Sequence, residues 1–328
     1  MHEILMLDRS DVERLLEVDP LLEALEAAFV AISDGHISVP PRIAARTPHG
    51  WLGAMPGWVE GMGLATKLVS VFPGNAGGPH PSHQGLIVLF DDETGTPVAI
   101  LDGERITALR TAAASAVAAR LLAREDARVL SVLGAGVQGR AHLETVPQVL
   151  ELEEVRVASR TLAHARALAE EAPSILATAA RPGAEPPRVV VVESFEDAVR
   201  GADVVCCCTD AAKPIIEDAW LAPGAHVGSV GAGTTGRELP EATIGRGRLF
   251  VEWRGAATEP PPAGAGELQG LAPDAVTDLG DVLAGRRPGR TSEAQLTVYK
   301  STGHAAEDVA AARLVVDRAR SQSYERKR

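Results

Sequence analysis

The strongest constraint on the fold lies between Arg128 and Glu252, where short continuous apolar runs alternate with helix-forming stretches. They read RVLSVLG, VQGRAHLETVPQVLE, VRVAS, LAHARALAEEA, VVVV, FEDAVRGA, DVVCCCT, AHVGSVG and RLFVE. Strands that are apolar at every position, and not only at every second one, are covered on both faces, and strand–helix alternation supplies the covers. The rhythm predicts an α/β fold, a Rossmann-type doubly wound parallel sheet.

The first strand of this region runs into LGAGVQG at 133–139. Gly134, Gly136 and Gly139 there sit between a strand and a helix, where glycines permit a tight turn and a close approach of backbone to pyrophosphate. Val137 and Gln138 open the helix. A second such pattern occurs at 231–239, GAGTTGREL, with Gly231, Gly233 and Gly236. The stretch RELPEATIGRG that leads from it to the next strand is too short for a crossover helix. The second pattern is therefore expected to be a loop at the carboxyl end of a parallel strand, where open α/β sheets bind ligands.

The cofactor type is read from the end of the second strand. An acid about twenty residues past the fingerprint would hold a ribose 2′-OH; the chain instead has Ser159, Arg160 and Thr161. A guanidinium flanked by two hydroxyls suits a 2′-phosphate, so NADP(H) is the expected cofactor, with NAD(H) possible.

Ahead of this region the first thirty residues read as helices, with Asp8 or Ser10 as a cap and Leu21, Leu22, Leu25, Ala28 and Phe29 as a 3.6-period stripe. Residues 39–101 carry short apolar runs between Gly and Pro turns, expected to form an antiparallel or mixed sheet. ITALRTAAASAVAARLLA comes next, as a helix. Segments 181–187, 258–266 and 285–290 read as surface loops, and the tail from Ala305 as an amphipathic helix whose last residues fray.

The chain's 328 residues suffice for two domains, and its formal charge of −12 argues against nucleic acid as a partner. No uninterrupted apolar run is long enough to span a membrane, and the N-terminal stretch is charged where a signal peptide is apolar. A cytoplasmic protein acting on a small molecule is expected. Cys206, Cys207 and Cys208 are consecutive in an apolar strand, where alternate side chains point to opposite faces; they read as core filler, not metal ligands.

Cations in apolar settings mark the substrate side. Arg42 lies in VPPRIA, Lys67 in LATKLVS, and Arg110 in a helix of Ala, Leu and Thr. Together they form a candidate carboxylate-binding set. Two groups are candidate proton donors: Lys67, if desolvation lowers its pKa, and His83 in PHPSHQG. No metal-binding or Ser-His-Asp framework competes.

Several stretches together resemble the ornithine cyclodeaminase/μ-crystallin family: VPPR at 39–42, TKLVSVFPGN at 66–75, PSHQG at 81–85, AILDGERITALRTAAASA at 99–116, LGAGVQG, PGAHVGSVGA at 223–232 and TVYKSTGHAAEDVAAA at 297–312. The resemblance implies a homodimer with a substrate-binding and dimerisation domain at 1–120 plus 305–328 and an NAD(P)-binding Rossmann domain at 121–304. It implies that Arg42, Lys67 and Arg110 hold a substrate carboxylate. It further implies that Ser82, Arg110, Val137, Gln138, Ser159, Arg160, Thr161, Thr209, Val230 and Arg237, with the glycines of 134–139, line the cofactor. Ornithine cyclodeaminases of the family carry an aspartate in the second glycine loop; the aligned residue here is Gly233, and Ala232 and Thr234 are not acidic either. That departure points to the branch that reduces C=N bonds next to a carboxylate, or runs in reverse as an amino-acid dehydrogenase. The alternatives are an ornithine cyclodeaminase and a non-catalytic NADP-dependent binding protein.

Overall fold

The first element among the described residues is a strand, not a helix. Leu5–Leu7 (β1) pairs in parallel with Ala99–Leu101, because three apolar residues precede the first side chain able to cap a helix. The computed structural model describes residues 4–75, 77–178, 185–231, 236–272 and 274–325. It divides into two compact units, Met1–Arg110 with Gly303–Arg328, and Thr111–Thr302.

In the first unit Asp8 caps α1 (Arg9–Leu15) through a reciprocal box with Asp11. In α2 (Val18–Asp34) the expected stripe, Leu21, Leu22, Leu25, Ala28 and Phe29, is buried, and Gly35 ends the helix at φ 75°. The sheet adds β2 (Ile37–Ser38), β3 (Ile43–Arg46), β4 (Trp51–Val59), β5 (Gly63–Val71), β6 (His83–Phe90) and β7 (Pro97–Asp102). Its order is β1-β7-β6-β5-β4-β2, with β3 also on β4; β1 is parallel to β7 and the other pairs are antiparallel.

Cross-strand register places Met55, Lys67, Ile87 and Leu101 in one row, all buried. The helix Ala305–Glu325 packs on this sheet and on α2, and every residue from Ala305 to Ala312 is buried. That is more than a one-faced amphipathic pattern implies, since the helix start lies between sheet and helices. The opposite sheet face carries the row Met6, Ile100, Val88, Thr66 and Pro56 beside Leu86, Leu68 and Ala54. Met6 is 68% exposed and Leu86 50%.

Helix α3 (Gly103–Leu122) leads into the second unit. There the chain forms β8 (Val129–Leu133), α4 (Val137–Thr145), β9 (Glu154–Ala158), α5 (Leu162–Thr178), β10 (Arg188–Val191), α6 (Phe195–Val199), β11 (Val204–Cys207), β12 (His226–Ser229), α7 (Glu241–Arg246), β13 (Arg248–Val251), α8 (Gly255–Thr258), β14 (Val276–Asp278), α9 (Leu279–Leu283) and β15 (Thr297–Lys300); α10 is the helix Ala305–Glu325. The eight strands run parallel in the order β10-β9-β8-β11-β12-β15-β13-β14. This is the α/β parallel sheet expected.

Details differ from the sequence reading for local reasons. Helix α4 stops at Thr145, because Pro147 cannot donate to the preceding turn, and a 3₁₀ turn carries Val146–Gln148. Strands β12 and β13 are not neighbours: β15, whose TVYK is too short to stand out in the sequence, lies between them. The 258–266 segment is not simply a surface loop, since Ala263, Gly264 and Ala265 are buried and Ala265 N donates to Ala256 O at 2.8 Å. Part of the 181–187 segment lies outside the described residues, as does the end of the tail. Cys206, Cys207 and Cys208 are buried, and burial pushes the Cys206 thiol up to about 12. No helix among the described residues is long and apolar enough to cross a membrane.

Candidate active site

The turn between β8 and α4 is built for close backbone approach. Gly134 has φ 112°, and a Cβ there would stand 2.6 Å from the Cys208 carbonyl oxygen. A Cβ on Gly139 would collide with the carbonyl oxygen of Gly134. Gly136 is the N-cap of α4 with open space around it, and no side chain caps the helix. The first N–H groups of α4 are thus offered at the carboxyl end of β8, with the helix dipole behind them, as a pyrophosphate requires. Val137, the first helical residue, is 70% exposed, and Gln138 Oε1 is buried without a hydrogen-bond partner.

The neighbouring strand ends complete this rim. In the order β9-β8-β11-β12, Ser159 comes after β9, the glycine turn after β8, Thr209 after β11, and Val230 after β12. A Cβ on Gly134 would touch Thr209 Cγ2 at 3.1 Å. Arg160 and Thr161 are exposed ahead of α5. Arg237 is 44% exposed and lies 3.9 Å from Glu241. Gly233 lies outside the described residues. Ser82 precedes β6 in the first unit, where its carbonyl accepts from Phe72 N at 2.8 Å.

The first unit gathers the three cations. Lys67, on β5 and 4% exposed, ion-pairs with Asp308 of α10, its Nζ 2.9 Å from Oδ2 and 3.1 Å from Oδ1. Arg110, on α3, donates from Nε to Asp308 Oδ1 at 3.1 Å and from Nη1 to Glu307 Oε2 at 3.0 Å. Arg42 donates from Nη2 to the Gly303 carbonyl at 3.0 Å. Glu307 Oε1 accepts from His304 N at 2.8 Å. One carboxylate, Asp308, therefore bridges the lysine and an arginine in a buried setting.

Burial brings the Lys67 ammonium down to about 8; Asp308 opposes the shift, and Arg110 and Arg42 add to it. Burial alone would push the Asp308 carboxyl up, but Lys67 and Arg110 hold it below its usual value. His304 is brought down to about 4, chiefly by burial. His83 is exposed at the start of β6. It pairs with Val71 on the face that Lys67 occupies, four residues and about 13 Å along the strand.

Sequence reasoning missed the anionic half of this cluster. The signal was two adjacent acids in an otherwise apolar helix start, AAEDVAAA, where charges survive burial only in partnership. It also missed Glu238, Glu267 and Lys300, buried around the carboxyl ends of β11, β12 and β15.

Fold and glycine turn together define a Rossmann-type dinucleotide-binding architecture with a separate mixed-sheet unit. The chain belongs to the ornithine cyclodeaminase/mu-crystallin family, whose model matches residues 2–323. The ketimine reductase mu-crystallin of Mus musculus is 36% identical over 302 residues, 91% of this chain and 90% of the relative. A Thermococcus litoralis Delta(1)-pyrroline-2-carboxylate reductase, solved with NADH and L-proline, superposes with a TM-score of 0.89 at 32% identity and 98% coverage of both chains. An archaeal alanine dehydrogenase dimer with bound NAD gives 0.86 at 28% identity, also covering 98% of both chains.

Proposed function

We propose that the protein is an NAD(P)H-dependent reductase of a C=N bond adjacent to a carboxylate, acting on a ketimine or imino acid, and in reverse an amino-acid dehydrogenase. The observation that carries this reading is the buried cluster around Lys67: three cations, Arg42, Lys67 and Arg110, gathered with two carboxylates, Asp308 and Glu307. Two guanidinium groups beside an ammonium make a set of the kind that binds a substrate carboxylate. The named relatives act on C=N or amino-acid substrates, and the Thermococcus litoralis protein was solved with a reduced cofactor and a cyclic amino acid.

In this reading Arg42 and Arg110 orient the carboxylate and Lys67 delivers the proton to the substrate nitrogen. A lysine titrating near 8 is mostly protonated at neutral pH yet gives up its proton far more readily than an exposed one. Lys67 is preferred over His83, which is exposed and lies further along the strand. The nicotinamide, when bound, supplies the hydride. The glycine turn, Gln138, Ser159 and Thr209 hold the dinucleotide, with Val230 and Arg237 beyond them. Arg160 favours NADP(H) through a 2′-phosphate, with NAD(H) accepted. Orientation and electrostatic pinning provide most of the acceleration.

The apolar sheet face on which Met6 and Leu86 are exposed beside the half-buried Val88 and Ile100 supports a homodimer, since patches of this kind mark interfaces. Three buried thiols suit a reducing, cytoplasmic setting. The test is a screen of NADPH oxidation over cyclic and acyclic imino acids and their carboxyl esters. The acids should turn over and the esters fail; equal rates would remove the carboxylate anchor from the account.

A further inference from the structure

Gly231 and Gly236 make room for a different partner than Gly134 and Gly139 do. A Cβ on Gly231 would stand 2.5 Å from Glu238 Oε2 and 2.6 Å from the Thr209 carbonyl oxygen, and one on Gly236 would stand 3.0 Å from that of Ala211. The second glycine pattern thus accommodates a carboxylate of the chain itself and the strand-end backbone beside it.

That carboxylate is fully used. Glu238 is 1% exposed. Its Oε1 accepts from Thr209 N at 2.8 Å and Thr209 Oγ1 at 2.7 Å, and its Oε2 accepts from Ser229 Oγ at 2.7 Å and Gly231 N at 2.8 Å. A second buried acid holds the first: Glu267 Oε2 accepts from Glu238 N at 2.9 Å and Leu239 N at 3.1 Å. Lys300 Nζ lies 2.8 Å from Glu267 Oε1 and donates to Ser229 Oγ at 2.9 Å and to the Gly231 carbonyl. Thr209, Ser229 and Lys300 sit at the carboxyl ends of β11, β12 and β15, which are neighbours in the sheet. One carboxylate therefore ties two strand ends together, and its own support ties in the third.

We propose that Glu238, held by Glu267 and Lys300, is a positioning residue that fixes Thr209 and Gly231 on the rim where the cofactor binds. The proposal rests on the reductase reading. A buried carboxylate that accepts four hydrogen bonds is held rigidly, and a rim residue displaced by about 1 Å costs up to roughly 100-fold in rate. Glu238→Gln tests this at nearly constant volume: the amide keeps one acceptor, so either Thr209 or the Ser229 and Gly231 pair meets an N–H₂.

Two readouts are needed. Amide exchange on the cofactor-free variant should rise about tenfold or more at Thr209 or at Gly231, whichever meets the N–H₂, while β8 and β9 keep wild-type protection. In turnover, kcat should fall roughly 10- to 100-fold with the NADPH dissociation constant, from fluorescence titration, within about threefold. A kcat within about threefold of wild type overturns the proposal, as does exchange that rises equally across the sheet, which marks a merely structural role. Should Glu238→Gln not fold, Thr209→Val removes a single donor and should lower kcat by about threefold or more in protein that still unfolds cooperatively; unchanged kcat overturns the proposal equally. Wild-type protein that binds no NADPH defeats the reductase reading alone, because exchange at Thr209 and Gly231 is read without cofactor.

Discussion

Asp308→Asn should move the pH dependence of the reaction. Lys67 is fully buried, and Asp308, with an oxygen 2.9 Å from its Nζ, is the acid that holds its proton against burial, Arg110 and Arg42. An opposite charge at this range shifts a titration by about one to three units. Removing it should take Lys67 from about 8 into the range of roughly 5 to 7. Arg110 keeps its second carboxylate, Glu307, so the carboxylate anchor survives. The sign is fixed: the protonated lysine is the donor, so activity falls as pH rises through its pKa. At pH 7 a donor near 8 is about nine-tenths protonated and one near 6 about one-tenth, so kcat/KM at pH 7 should drop about tenfold and recover most of that loss near pH 5.5. The assay is kcat/KM for an imino acid at saturating NADPH from pH 5 to 9. A variant whose basic limb coincides with that of the wild type refutes Lys67 as the proton donor under Asp308's control.

Buried neutral histidines contribute to the loss of stability in acid. Burial lowers His142 to about 4 and His226 to about 3. Their contribution is present above pH 6.5 and is lost as pH falls through these values, about 3 to 5 kcal/mol each. Thermal denaturation should show the loss, and His226→Asn should flatten it; an unchanged slope argues against this source. Arg160→Ala should weaken NADPH by about tenfold or more and leave NADH within about twofold in fluorescence titration, and equal weakening contradicts the 2′-phosphate assignment. Leu86→Glu, on the exposed sheet face, should yield monomers in light scattering with the fold intact, whereas a retained dimer places the interface elsewhere.

What is legible in the chain is local. The strand–turn–helix around Gly134 can be read because sequence neighbours make the turn, and the parallel sheet because its strands are apolar on both faces. Arg42, Lys67 and Arg110 stand out as charges in apolar surroundings. Their carboxylate partners do not, because Asp308 lies 241 positions from Lys67 and only the packing of α10 on β5 joins them. Strand β15 escapes notice for a similar reason: four residues acquire meaning only between β12 and β13. The second glycine pattern is recognisable as something other than a pyrophosphate cradle, but the acid it accommodates, Glu238, lies within the same short stretch and carries no signal of its own. A lone Glu after Arg looks like a surface residue until four donors are seen to converge on it.

The most direct test of the account is the stoichiometry of cofactor use. Purified protein is given a cyclic imino acid with NADPH and, separately, ornithine with a trace of NAD. The account predicts one NADPH oxidised for each imino acid converted to amino acid, and neither proline nor ammonia from ornithine. Sustained release of proline and ammonia from ornithine, without net oxidation or reduction of the cofactor, would contradict it.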